Sequence, residues 1–121
     1  MSDTLHALLL QTAARRGEAP AVQFGDRIDS HTRLARRVER AAARLCFEWG
    51  VRAGDRVAYL GLNHVDQLVL LFALARLGAM LAPLNFRLAP SEWAAVLQDC
   101  RPALLIHGEA WAEAAQALGR P

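Results

Sequence analysis

The feature that most narrows the folds open to this chain is a set of short, unbroken apolar runs separated by helix-length segments. Residues 57–60 (Val57, Ala58, Tyr59, Leu60), 79–84 and 104–107 (Leu104, Leu105, Ile106, His107) lack the polar alternation of a strand with one wet face. Runs of this kind suit strands covered on both sides, which are mostly parallel strands, and parallel strands need crossover connections. The intervening segments supply them. Asn63 opens a helix over residues 65–77 that is apolar almost all round, with Asp66 in its first turn where a carboxylate suits the free amides and the dipole, and Gly78 closes it. Pro90 and Glu92 begin a second helix, and residues 109–118 make a short final one. Strand, helix, strand, helix, strand predicts an α/β fold with a parallel sheet and right-handed crossovers.

The first half adds a different unit. Thr4 can cap a helix that places Leu5, Leu8, Leu9 and Thr12 on one face and stops at Gly17, an amphipathic lid and not a membrane anchor. Residues 21–24 and 27–29 read as a β-hairpin around the two-residue turn Gly25-Asp26. Ser30 then caps a long helix on which Leu34, Val38, Ala41, Leu45 and Trp49 recur at helical spacing as the core face, with Gly50 at its end.

Composition bounds the function. The 121 residues fit one domain, and 54% apolar content can build a core. All 14 cationic residues are Arg against 12 acidic ones, a formal net charge of +2, so a dedicated nucleic-acid binder is not expected. Arg33, Arg36, Arg37, Arg40 and Arg44 do gather on the long helix, but the interleaved Glu39 and Glu48 and the lack of aromatics there favour a solvated face. Without any Lys, no step that needs a lysine can come from this chain. Cys46 and Cys100 have neither a C-x-x-C nor a metal spacing and read as reduced thiols of a cytoplasmic protein. The apolar stretch 68–84 carries Arg76 in its middle and is too short uninterrupted for the roughly 20 residues a bilayer requires, so no membrane span is expected.

A three-stranded parallel sheet invites a nucleotide, yet Gly61-Leu62-Asn63-His64 is not a phosphate loop of either glycine-rich pattern. Asn63 and His64 do stand where a strand end meets a helix start, the usual ligand edge. His6, His31, His64 and His107 lie on separate elements without metal-ligand spacing, and Ser30 and Ser91 suit helix starts, not a nucleophile elbow. No catalytic residue and no metal ligand is assigned.

The ordered segments Gly50-Val51-Arg52-Ala53-Gly54-Asp55-Arg56-Val57-Ala58, Ala73-Leu74-Ala75-Arg76-Leu77-Gly78-Ala79, Ala82-Pro83-Leu84-Asn85-Phe86-Arg87-Leu88-Ala89-Pro90-Ser91-Glu92 and 97–106 resemble the adenylate-forming acyl-CoA synthetases and their relatives, the luciferases and peptide-synthetase adenylation domains. Asn85 makes the third segment more similar to acid-CoA ligases than to adenylation domains, where Asp is usual. The resemblance implies a hairpin plus β-α-β-α-β portion of the family's large N-terminal domain, with residues 1–121 as its first part and the remainder of the polypeptide as its partner.

The family activity so implied is ligation of a carboxylic acid to coenzyme A through an acyl-adenylate, with ATP and Mg²⁺. The family's Ser/Thr/Gly-rich loop with its Lys, its aromatic-Gly-x-Thr-Glu segment, its ribose-binding Asp and its C-terminal Lys are all missing here. The chain alone is therefore expected to be scaffold. Arg87 matches an Arg that in some members lies near the phosphates of coenzyme A; pairing with Glu92 is its alternative role. Ala89 stands where Ser or Thr often caps the next helix, and Cys46-Phe47-Glu48-Trp49 is an unusual lead into Gly50. Isolated from its domain, the chain should expose apolar faces that the rest of the protein or a second copy, as a homodimer, would cover. Two other readings stand beside this one: a stand-alone, non-catalytic binding or assembly module that keeps the fold, and a small flavodoxin-like nucleotide binder, which the missing phosphate loop disfavours.

Overall fold

The computed structural model describes residues 5–62 and 65–118. Their order is α1 (Leu5–Arg16), β1 (Pro20–Phe24), β2 (Arg27–Ser30), α2 (His31–Ala43), β3 (Arg56–Leu60), α3 (Val65–Leu77), β4 (Met80–Leu84), α4 (Pro90–Cys100), β5 (Leu104–His107) and α5 (Ala112–Leu118). The hairpin β1-β2 is antiparallel and separate, and the second sheet is parallel in the order β4-β3-β5. The mixed α/β expectation holds, and α3 has the boundaries its apolar run predicted.

That strand order fixes where the helices go. The chain steps from β3 to β4 on one side and back across β3 to β5 on the other, so two right-handed crossovers must lie on opposite faces. Val57 and Tyr59 of β3, with Leu104 and Ile106 of β5, accordingly pack among α1, α2 and α3, whereas Leu60, Leu84 and Leu105 pack with Trp93 of α4 and Leu118 of α5. The central strand β3 is buried from Val57 to Leu60, which is why its sequence shows no alternation. Pro83, lacking an N–H, is tolerated because β4 is an edge strand.

Three expectations need correction. On α1 the inward residue is Leu9, while Leu5 and Leu8 are 44% and 53% exposed. The helix is rolled so that His6, on the Leu9 side, reaches Glu39 of α2. The long helix does not hold α-geometry to Gly50. Its last turn, Arg44–Glu48, widens to a π-turn in which Trp49 N–H donates to Arg44 O at 3.3 Å and Val51 N–H to Leu45 O at 2.9 Å. The widening keeps Leu45 buried but rotates Trp49 outward, 46% exposed, so Val51 takes its place in the core, where Ala42 is buried and Ala41 packs at the margin. The last helix begins with a 3₁₀ turn, Glu109–Trp111, before α5. The predicted caps Thr4 and Asn63 lie outside the described residues.

Candidate functional site

In an open parallel sheet ligands gather outside the carboxyl ends of the strands, where connections leave in opposite directions. Here that place lies between β3, which is followed by α3 on one face, and β5, which is followed by α5 on the other. Gly61 and Gly108 meet there: Gly108 N–H donates to Leu60 O at 2.8 Å. A Cβ on Gly61 would come within 2.9 Å of the Tyr59 hydroxyl and 3.3 Å of Gly108 N. The two segments approach this closely because Gly61 has no side chain; a Cβ on Gly108 would press on the Trp111 ring at 3.2 Å instead. Tyr59, 7% exposed, donates its hydroxyl to Leu62 O at 3.2 Å, and its pKa is raised by burial, with Asp66 adding to the shift. His64, the other residue at this edge singled out by sequence, lies outside the described residues with Asn63.

Beside it stands the loop after β4. Asn85 organises it with three hydrogen bonds: its Oδ1 accepts from Arg87 N–H at 3.0 Å, and its carbonyl accepts from Leu88 N–H at 3.0 Å and from the Trp93 indole at 2.7 Å. The side-chain bond is an Asx turn, available to Asn or Asp alike. Trp93 is buried against Leu60 and Leu84, so the loop is anchored to the sheet. The Arg87 guanidinium lies over the Phe86 ring, 5.5 Å from its centroid, and Phe86 meets Trp111 edge-on at 6.2 Å. Arg87 is exposed, and no carboxylate among the described residues pairs with it. The alternative partner, Glu92, accepts from Ala89 N–H at 3.0 Å instead. An exposed guanidinium stacked on an aromatic ring and fixed through its own backbone can meet an anionic group without first breaking an ion pair.

Sequence reasoning missed a second polar cluster. Asp29 of β2 is 1% exposed; it accepts from Arg37 at 2.8 Å and Arg27 at 3.4 Å, with Arg33 at 3.6 Å. Arg37 continues to Asp66 at 2.6 Å, tying the hairpin and α2 to the first turn of α3. The available signal was an Asp ahead of a helix cap with Arg four and eight residues later. No group of three or more His, Cys, Asp or Glu among the described residues could hold a metal ion.

A family model described as AMP-binding enzyme matches residues 9–120. The chain belongs to this family of adenylate-forming enzymes. Among curated members, it is 46% identical over 100 residues to a feruloyl-CoA synthase of Amycolatopsis sp, covering 83% of this chain and 20% of that protein. It is 47% identical over 85 residues to an indoleacetate–CoA ligase of Aromatoleum aromaticum, covering 70% of this chain and 16% of that one. Among solved structures, a fatty acyl CoA synthetase of Mycobacterium tuberculosis superposes with a TM-score of 0.90 at 28% identity over 98% of this chain and 24% of that chain. The N-terminal domain of FACL13 from the same organism gives 0.91 at 28% identity, over 99% and 30%. The chain thus spans about a fifth of the length of the curated relatives it matches, and its hairpin and three-stranded sheet have the fold of the acyl-CoA ligase N-terminal domain. Among the described residues no helix is long and apolar enough to cross a membrane.

Proposed function

We propose that this chain is the amino-terminal scaffold of an acid-CoA ligase that converts a carboxylic acid and ATP to an acyl-adenylate and passes the acyl group to coenzyme A. The observation that carries the reading is the family match over residues 9–120 in a chain about a fifth as long as its ligase relatives. Its own groups fit one part of that chemistry and not the rest. It has no Lys and no glycine-rich phosphate loop, and no cluster among the described residues could hold Mg²⁺, so it lacks the family's groups for activating ATP, and that step is assigned to the rest of the polypeptide. Coenzyme A supplies the thiol of the second step. Arg87, exposed and stacked on Phe86, fits a phosphate of that cofactor, and the Asn85 turn and the Trp93 anchor hold it in place.

The remaining residues position and cover. β5 pairs with β3 on one edge only, and beside its other edge α4 and α5 bound an open concavity of about 1040 Å³ that includes Leu97, Leu104, Leu105 and Leu118. An unpaired strand edge flanked by apolar side chains suits continuation of the sheet by the remaining polypeptide.

The test is acid-dependent exchange of pyrophosphate into ATP, run on this chain and on the complete protein. The names of the relatives make ferulate and indoleacetate the first acids to try. Exchange is expected only with the complete protein, and exchange by these 121 residues alone overturns the reading.

A further inference from the structure

Glu39 and Glu48, which in the sequence interleave with the arginines of the long helix, form no ion pair with Arg33, Arg36, Arg37 or Arg40. Glu39 is engaged by His6 of α1 at 2.8 Å and Arg76 of α3 at 3.0 Å, and Glu48 by Arg44 at 3.0 Å. What is left is a concavity of about 410 Å³ lined by Arg27, Arg33, Arg36, Arg37 and Arg40 together with Glu18. Buried Asp29 fixes three of these guanidiniums, those of Arg27, Arg33 and Arg37. Arg36 and Arg40 have no carboxylate partner among the described residues. Five guanidiniums stand against Glu18, Asp29 and Asp66, the last held through Arg37, which leaves two positive charges unmatched.

We propose that this concavity binds a phosphate group, that of a phosphate monoester or of pyrophosphate. The surplus of two charges matches a monoester dianion and offsets most of the charge of pyrophosphate. Guanidinium forks match the several oxygens of a phosphate better than a halide, and a buried carboxylate that already orients three of them lowers the cost of ordering them on binding. No aromatic side chain lines the cavity, so it lacks the stacking platform of a single-stranded nucleic-acid site. The site shares no residue with the Asn85 loop and does not depend on the ligase reading.

Isothermal titration of the full chain with sodium pyrophosphate, ribose 5-phosphate and a short single-stranded oligonucleotide, each at ionic strength fixed with sodium chloride, tests this. Saturable binding of pyrophosphate or the monoester is expected, and the tighter of the two identifies the source of the phosphate. The double variant Arg36→Gln/Arg40→Gln should bind roughly tenfold more weakly and lose the ligand-induced rise in Tm, with an unchanged circular dichroism spectrum. Arg15→Gln, on α1 outside the cavity, should bind as the wild type does. If the double variant unfolds, Arg36→Gln and Arg40→Gln singly should each still weaken binding about threefold. Heat no greater than that of chloride dilution overturns the proposal. So does undiminished binding by the variants, or an oligonucleotide that binds more tightly than both small anions.

Discussion

Replacing Asp29 with Asn isolates the one buried charged residue among the described residues. The substitution keeps the side-chain shape and one acceptor oxygen, so what it removes is the negative charge facing Arg37, Arg27 and Arg33. These partners do not count equally. Arg37 is 19% exposed and bonds at 2.8 Å, geometry for which a charge-assisted hydrogen bond contributes about 1.5–3 kcal/mol. Arg27 and Arg33 are 50% and 68% exposed at 3.4 and 3.6 Å, where solvent screening leaves at most a few tenths of a kcal/mol each, about the lower end for surface pairs. A loss of about 2 kcal/mol at neutral pH follows.

The pH dependence gives an independent check. Burial by itself would raise the Asp29 pKa, but the hydrogen bond from Arg37 and the charge and hydrogen bond of Arg27 outweigh it and hold the carboxyl below its ordinary value of 3.8. A pKa depressed in the folded state means that the stabilisation is complete above the unfolded-state value and is lost as the pH falls through the folded-state one. Urea unfolding followed by tryptophan fluorescence should therefore show a gap between wild type and Asp29→Asn that is widest at neutral pH and narrows below about pH 4. A gap under about 0.5 kcal/mol at neutral pH, or one that grows on acidification, refutes the assignment of Asp29 as the charged keystone of the hairpin.

Two further substitutions probe the sheet edge and the loop that carries Arg87. Gly61→Ala should destabilise by about 1–3 kcal/mol in the same urea assay, because its Cβ meets the Tyr59 hydroxyl at 2.9 Å and Gly108 N at 3.3 Å; adding Tyr59→Phe, which removes the first clash, should recover part of the loss. Ala89→Ser should stabilise by about 0.5 kcal/mol and raise Tm: residue 89 already has the extended N-cap conformation, φ −75° and ψ 155°, the reciprocal Glu92 bond is in place, and a side-chain oxygen would add a second acceptor for the Glu92 N–H, which now bonds only the Ala89 carbonyl at 2.9 Å.

Most of the architecture was legible because it rests on runs of residues. The three strands of the parallel sheet are apolar but for Arg56 and His107 at their ends, α3 is apolar on most of its surface, and runs without alternation suit strands covered on both faces. The π-turn at Arg44–Glu48 was not legible beyond its odd composition. Its hydrogen-bond register is decided by where Leu45 and Val51 can both be buried, which is a tertiary condition. The roll of α1 was missed for the same reason: four apolar positions offered two faces, and the His6–Glu39 bond selects the one with fewer leucines.

Asp29 shows the limit most clearly. In β2 the apolar Ile28 is 53% exposed while its charged neighbour is buried, the reverse of what alternation predicts. The inversion is stable because Arg37, on the next element, enters the same space, and the strand is too short for one exposed Ile to outweigh that pair. The same inversion disposes the arginines. Charge counting along α2 assigned Glu39 and Glu48 to neutralise its cationic stripe, but a carboxylate neutralises only what it faces. Glu39 bonds to α1 and α3, Glu48 reaches only Arg44 at the end of the stripe, and the acid that pairs with Arg33 and Arg37 is buried in a strand eight residues before Arg37. Net charge near zero therefore says little about local fields in a fold of this size, and the two arginines left over, Arg36 and Arg40, are where an outside anion would be felt.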